Sequence, residues 1–119
     1  MVMVVEIGGN RFALPFRTNI RHGYCYKFKS SGRESEASTG IDFTKAVVIT
    51  DAKYVGEEVA IDHKEYVELM NKFYLVLSKF KRYLSGYAKC CREGGGERAM
   101  RKYRYTTLKY FKNELGLSQ

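Results

Sequence analysis

Cysteine is scarce in this chain of 119 residues, with three in all: Cys25, Cys90 and Cys91. An odd number with two adjacent offers no disulfide framework, so the sequence reads as that of a protein kept in a reducing compartment. The two histidines, His22 and His63, stand alone, which excludes the ligand spacing of a zinc site. Long apolar runs are missing as well. The opening Met1-Val2-Met3-Val4-Val5 is five residues long, too short to span a bilayer, and no signal-peptide pattern follows it. A cytoplasmic protein without a membrane segment, a metal or another cofactor is expected. Proline occurs once, at Pro15, and acids are outnumbered, 13 against 21 Lys and Arg, for a net charge of +8.

What is present is a globular composition, 45% apolar and 29% charged, of a length that makes one domain with a real core, here 1–119. The positive surplus attracts polyanions, of which phosphate backbones are the commonest. Ten tyrosines add faces on which unpaired bases can stack.

Hydrophobic periodicity changes once along the chain. Met1–Ile7 is rich in valine and reads as a strand. Gly8-Gly9-Asn10 is a turn, and Arg11–Phe16 returns as a second strand, making a hairpin. Pro15 marks the end of that strand or an edge. Tyr24–Phe28 alternates as a third strand. The stretch 29–40 is Ser-rich and charged and reads as an exposed loop. Ile41–Thr44 leads into Lys45–Thr50, an apolar run expected as a buried strand, and Tyr54–Ile61 as another short one. From Asp62 the period becomes helical. Tyr66, Leu69, Met70, Phe73 and Tyr74 begin a stripe that continues through Val76, Leu77, Phe80, Tyr83, Leu84 and Tyr87, the apolar face of one long helix ending near Cys91. Asp62 with Glu65 resembles a capping box. Glu97–Arg104 is short and basic. A last helix is expected from Thr106 or Thr107 through Leu115, stopped by Gly116. Strands first and helices after them predict an α+β fold, a mostly antiparallel sheet with helices on one face.

Four groups of residues can carry chemistry. The loop after the second strand presents Arg17, Thr18, Asn19, Arg21 and His22. Metal-free RNA cleavage needs a group to activate the ribose 2′-hydroxyl, donors for the phosphorane-like transition state and a proton for the leaving 5′-oxygen. Arginine forks grip phosphate oxygens, a hydroxyl or amide positions them, and a histidine exchanges protons at neutral pH. An ordinary solvated turn contains the same residue types. Tyr24 and Tyr26 fall on one face of the third strand with Lys27 opposite, a base-stacking face or simple sheet packing. Lys45 stands where it could reach a phosphate. Lys79, Lys81 and Arg82 on the back of the long helix, with Arg98, Arg101, Lys102 and Arg104, form a phosphate-tracking surface or a solvated face.

The order of these segments resembles a known family. A strand ending Val4-Val5-Glu6-Ile7 leads to the loop Phe12-Ala13-Leu14-Pro15-Phe16-Arg17-Thr18-Asn19-Ile20-Arg21-His22. Then come Thr39-Gly40-Ile41-Asp42-Phe43-Thr44-Lys45 and a long helix with tyrosines. This resembles the ToxN/AbiQ/TenpN-like toxins of type III toxin–antitoxin systems, the TenpN branch most of all. The resemblance implies a barrel-like antiparallel sheet in the N-terminal half, with a long amphipathic helix and a C-terminal helix packed on it. It implies an endoribonuclease that leaves a 2′,3′-cyclic phosphate without a metal, inhibited by a repeat RNA antitoxin in a closed protein–RNA assembly. In the family a proline loop carries hydroxyl residues followed by a lysine. Thr18 matches one hydroxyl position, Arg17 replaces another, Arg21 is the nearest counterpart of the lysine, and His22 is extra. Tyr74 falls near a family helix tyrosine. The family also has a segment ahead of the Val-rich strand, so the expectation is a truncated or replaced N-terminal segment. A non-catalytic RNA-binding module and a protein-interaction domain are the competing classes.

Overall fold

Two consecutive glycines start the fold. Gly8 and Gly9 both hold positive φ, 59° and 84°, a conformation that β-carbons disfavour, and they reverse the chain between β1 (Val2–Ile7) and β2 (Asn10–Arg17). The register runs from Ile7↔Asn10 to Val2↔Pro15. The structure is a computed structural model describing residues 2–29, 39–49, 63–94 and 96–117. Within it the expected strand Tyr54–Ile61 and the cap at Asp62 lie outside the described residues, as does most of the Ser-rich loop. The C-terminal end of that loop departs from expectation. Thr39 and Gly40 are buried, and Gly40 opens a strand.

β2 is the central strand. Its other edge is shared by two short segments, β4 (Gly40–Asp42), paired at Phe16↔Ile41, and β5 (Val47–Val48), paired at Ala13↔Val47. Between them the chain leaves the ladder in a 3-10 turn, Phe43–Lys45. The cause is local. Asp42 Oδ1 accepts from the Thr44 backbone N–H at 2.9 Å and from Thr44 Oγ1 at 2.6 Å, offering the backbone a turn in place of sheet pairing. Of the strand expected over Lys45–Thr50, the described residues therefore form Val47–Val48, Lys45 lies in the turn, and Thr50 lies outside the described residues. β3 (Cys25–Lys27) pairs with β4, giving the order β1-β2-β4-β3, antiparallel throughout, and the described strands do not close on themselves.

The helical half follows as α1 (His63–Asn71), α2 (Phe73–Glu93), α3 (Glu97–Lys102) and a 3-10 helix, Thr107–Phe111. The α+β class is thus observed. The expected single helix is interrupted at Lys72, and the last helix is 3-10 rather than α. Thr106 caps it, its Oγ1 accepting from the Leu108 N–H at 3.3 Å. Val76, Phe80, Tyr83 and Tyr87 on α2 are buried at steps of four, three and four, as the stripe predicted. Phe80 meets Phe12 edge-on at 5.2 Å between ring centres.

α1 follows the stripe only at Leu69, which is buried in the core. Tyr66 and Met70 are exposed, as is Tyr74 at the start of α2, while Glu65 and Glu68 are buried. Glu68 accepts from the Tyr26 hydroxyl and from the Lys29 N–H, and Glu65 accepts from Thr39 Oγ1 at 2.5 Å. Donors on β3 and at the start of β4 thus turn the carboxylate face of α1 inward. Glu65 is a buried acceptor. No helix among the described residues is long and apolar enough to cross a membrane.

Candidate nucleic-acid interface

The loop between β2 and β3 is shaped by two residues, Asn19 and Ile20. Asn19 takes φ 58°, a left-handed conformation that asparagine tolerates, and Ile20 drops into the core, 6% exposed. Arg17, Thr18, Asn19 and Arg21 are consequently thrown outward around a buried anchor. They form one wall of a cleft of about 370 Å³.

The 3-10 turn supplies the floor. Thr107 Oγ1 donates to the carbonyls of Thr44, at 3.2 Å, and Ala46, tying that turn to the C-terminal 3-10 helix and holding Asp42, Thr44 and Lys45 against the cleft. α3 supplies the opposite wall with Arg101 and Lys102, and Tyr105 follows it. α3 is held in place by the Tyr103 hydroxyl, which donates to the Tyr83 carbonyl at 3.0 Å. Gly86 makes that approach possible, since a β-carbon there would lie 2.3 Å from Tyr103 Oη. Five cationic side chains from three separate segments, Arg17, Arg21, Lys45, Arg101 and Lys102, therefore line one concavity, to which the described residues contribute a single carboxylate, Asp42. Arg101 is paired with Glu97 at 2.8 Å, an exposed i,i+4 pair that solvent weakens.

His22 sits at the meeting of these parts, 3.2 Å from Asp42 Oδ1 through Nε2. Its Nδ1 accepts from the Tyr24 backbone N–H at 3.0 Å, so in the neutral ring the proton resides on Nε2, facing the carboxylate. Its ring also stacks on Tyr24, with centres 5.7 Å apart. Both nitrogens are thus engaged. Asp42, only 3% exposed, orients the imidazole while its Oδ1 also takes the two Thr44 bonds.

The remaining predicted residues divide. Lys79 and Arg82 flank a smaller groove beside Tyr24 and Lys102. Lys27 and Lys81 are exposed, and neither lines the cleft or that groove. Tyr26 does not form an open stacking face with Tyr24. It is 2% exposed with its hydroxyl on Glu68, and burial followed by that carboxylate pushes its pKa up. Tyr74 is 82% exposed on α2, packed edge-on against Phe73, and lines no part of the cleft. The tyrosine that sequence reasoning missed is Tyr105, 68% exposed and lining the cleft, with the Arg104 guanidinium 5.2 Å from its ring centre. In the sequence it falls between the short basic stretch Glu97–Arg104 and the expected last helix, with no sign that α3 folds back onto the β2–β3 loop. Asp42 was visible only as part of the Gly-Ile-Asp-Phe segment, not as the partner of His22.

Among the described residues no three His, Cys, Asp or Glu side chains are grouped as a metal would need. Compared with protein-family models, with curated proteins and with solved structures, the chain finds no match in any of the three.

Proposed function

We propose that this chain is an RNA-binding endoribonuclease of the type III toxin kind, gripping the phosphate backbone in the cleft between the β2–β3 loop and α3. One observation carries the reading, the convergence of Arg17, Arg21, Lys45, Arg101 and Lys102 on a concavity with one carboxylate among the described residues. Guanidinium forks match phosphate oxygens two at a time. Thr18 and Asn19 hold the same group from the loop, and Tyr105 offers a ring for an unpaired base.

In this reading the 2′-oxygen attacks the adjacent phosphorus and the bond to the 5′-oxygen breaks, leaving a 2′,3′-cyclic phosphate and a 5′-hydroxyl. His22 Nδ1 takes the 2′-hydroxyl proton after giving up the Tyr24 N–H, and the imidazolium returns it to the departing 5′-oxygen. Asp42 remains on Nε2–H and stabilises the charged ring between those events. Arg17 and Arg21 offset the charge that builds on the phosphorane. Tyr74 has no part in these steps. An inhibitory repeat RNA that docks in the same basic cleft, closing a protein–RNA assembly, belongs to the same proposal.

A second reading, binding without cleavage, is favoured by one observation: both His22 nitrogens are already occupied. Incubating the protein with cellular RNA in EDTA separates the two. Fragments with cyclic phosphate ends, absent with Arg17→Ala/His22→Ala, are expected. Intact RNA that is nonetheless bound leaves only the second reading, and RNA that is neither bound nor cut removes both.

A further inference from the structure

We propose that an RNA strand held in the cleft continues over a ridge made by Tyr24 and Lys102 into a second groove, so that the protein holds two successive stretches of one unpaired chain. This rests on the RNA-binding reading above. The second groove, about 220 Å³, shares Tyr24 and Lys102 with the cleft, so the two depressions adjoin across those residues. Its further cations are Lys79 and Arg82, three residues apart on α2 and therefore on one helix face. No acid lines it among the described residues. Lys102 is half-buried, with Nζ 5.9 Å from the Tyr24 ring centre and 5.3 Å from that of Tyr103, and no described carboxylate pairs with it. Two rings thus hold a fixed positive charge on the ridge, where a phosphate passing from one depression to the other meets it. A ridge between two hollows suits a strand that can bend at each nucleotide. A stiff duplex would bridge both hollows without entering either.

Binding of 2′-O-methyl oligonucleotides, which cannot undergo attack by the 2′-oxygen, tests this across a salt series. One oligonucleotide is of about four nucleotides and the other of about twelve, bracketing the length one small domain covers. For Lys79→Ala/Arg82→Ala, the long oligonucleotide is expected to lose about 1.4 from its logarithmic salt slope, two phosphates at about 0.7 each, with the short one unchanged. Lys89→Ala/Lys112→Ala removes the same charge from exposed positions lining neither depression, and far-ultraviolet circular dichroism checks that every variant folds. Equal losses on both lengths, no loss on either, or an equal loss from the Lys89/Lys112 pair overturns the second groove. The cleft itself is read by Arg17→Ala/Arg21→Ala, which weakens both lengths if RNA sits there. If that pair changes neither length, the underlying RNA-binding reading fails. If it weakens both while Lys79→Ala/Arg82→Ala changes neither, the second groove alone fails.

Discussion

His22 is held at both ring nitrogens, so substituting its partner reports more than substituting the ring itself. Asp42→Asn keeps an oxygen for Nε2–H and for the two Thr44 bonds while removing the negative charge. If His22 becomes an imidazolium during cleavage, that charge matters to the rate. Cleavage is expected to fall roughly 100-fold or more, the low end of what a positioned acid–base group contributes. RNA affinity is expected to hold or tighten, since the only carboxylate that lines the cleft among the described residues has been neutralised. Parallel measurement of cleavage rate and binding checks this, and unchanged cleavage would remove Asp42 and His22 from the chemistry. Gly40 is a second position where one atom decides. A β-carbon there would lie 1.9 Å from the Tyr26 carbonyl oxygen, a backbone atom fixed in the β3–β4 ladder. Gly40→Ala should destabilise by at least the 1–3 kcal/mol that overpacking ordinarily costs, roughly, seen as a lowered denaturation midpoint. At this scale the sequence announced residue types better than partners. Arg17, Arg21 and His22 were legible because they crowd one short loop. The His22–Asp42 pair was not, because nineteen intervening residues separate its members and only the β3–β4 pairing brings them together.

Among the elements, α1 shows where periodicity misleads. The apolar stripe read through it counts Tyr66, Leu69 and Met70 as inward, yet of these the structure buries Leu69 alone, together with Glu65 and Glu68. Periodicity weighs hydrophobicity alone, whereas β3 and the start of β4 present donors, the Tyr26 hydroxyl, the Lys29 N–H and Thr39 Oγ1, that a buried carboxylate satisfies. Nothing local to 63–71 carries that information. On α2 the facing sheet residues are apolar, and the same rule works. The hairpin was legible for a similar reason, since Gly8, Gly9 and the alternation of β1 all act locally. The two faces of α1 therefore predict opposite outcomes from superficially similar substitutions. Glu68→Ala strands the buried Tyr26 hydroxyl, costing roughly 1–3 kcal/mol, and also removes the acceptor of the part-buried Lys29 N–H. Met70→Ala, on the exposed face, should stay within about 0.5 kcal/mol. Denaturant unfolding of the two variants tests the assignment, and a larger cost at Met70 than at Glu68 would show that α1 buries its apolar stripe after all.

At the scale of the whole molecule, tyrosine does two jobs in different places. Tyr105 stands at the cleft, while Tyr26, Tyr83, Tyr87 and Tyr103 are packed where α2 and α3 meet the sheet. Burial raises the pKa of all four, with Glu68 adding to the shift at Tyr26 and neighbouring cysteine thiols at Tyr87. Tyr83 and Tyr103 are pushed from 10.0 up to about 12. In the unfolded chain these phenols ionise at their ordinary value, so above it the unfolded state holds fewer protons than the native one. Stability then falls as pH rises. The contribution is complete below pH 10 and is lost as pH climbs toward about 12. α3 should separate from α2 in that window, because Tyr103 both carries a raised pKa and donates the bond that fastens it. The cleft opens with α3, so RNA binding at low salt should collapse together with structure, and not gradually as lysines lose charge. Tyrosinate absorbance followed alongside near-ultraviolet circular dichroism tests this. The buried phenols are expected to ionise only as the aromatic dichroism disappears. A native dichroism signal persisting after all ten tyrosines have ionised would mean that these rings are not sealed between the helices and the sheet.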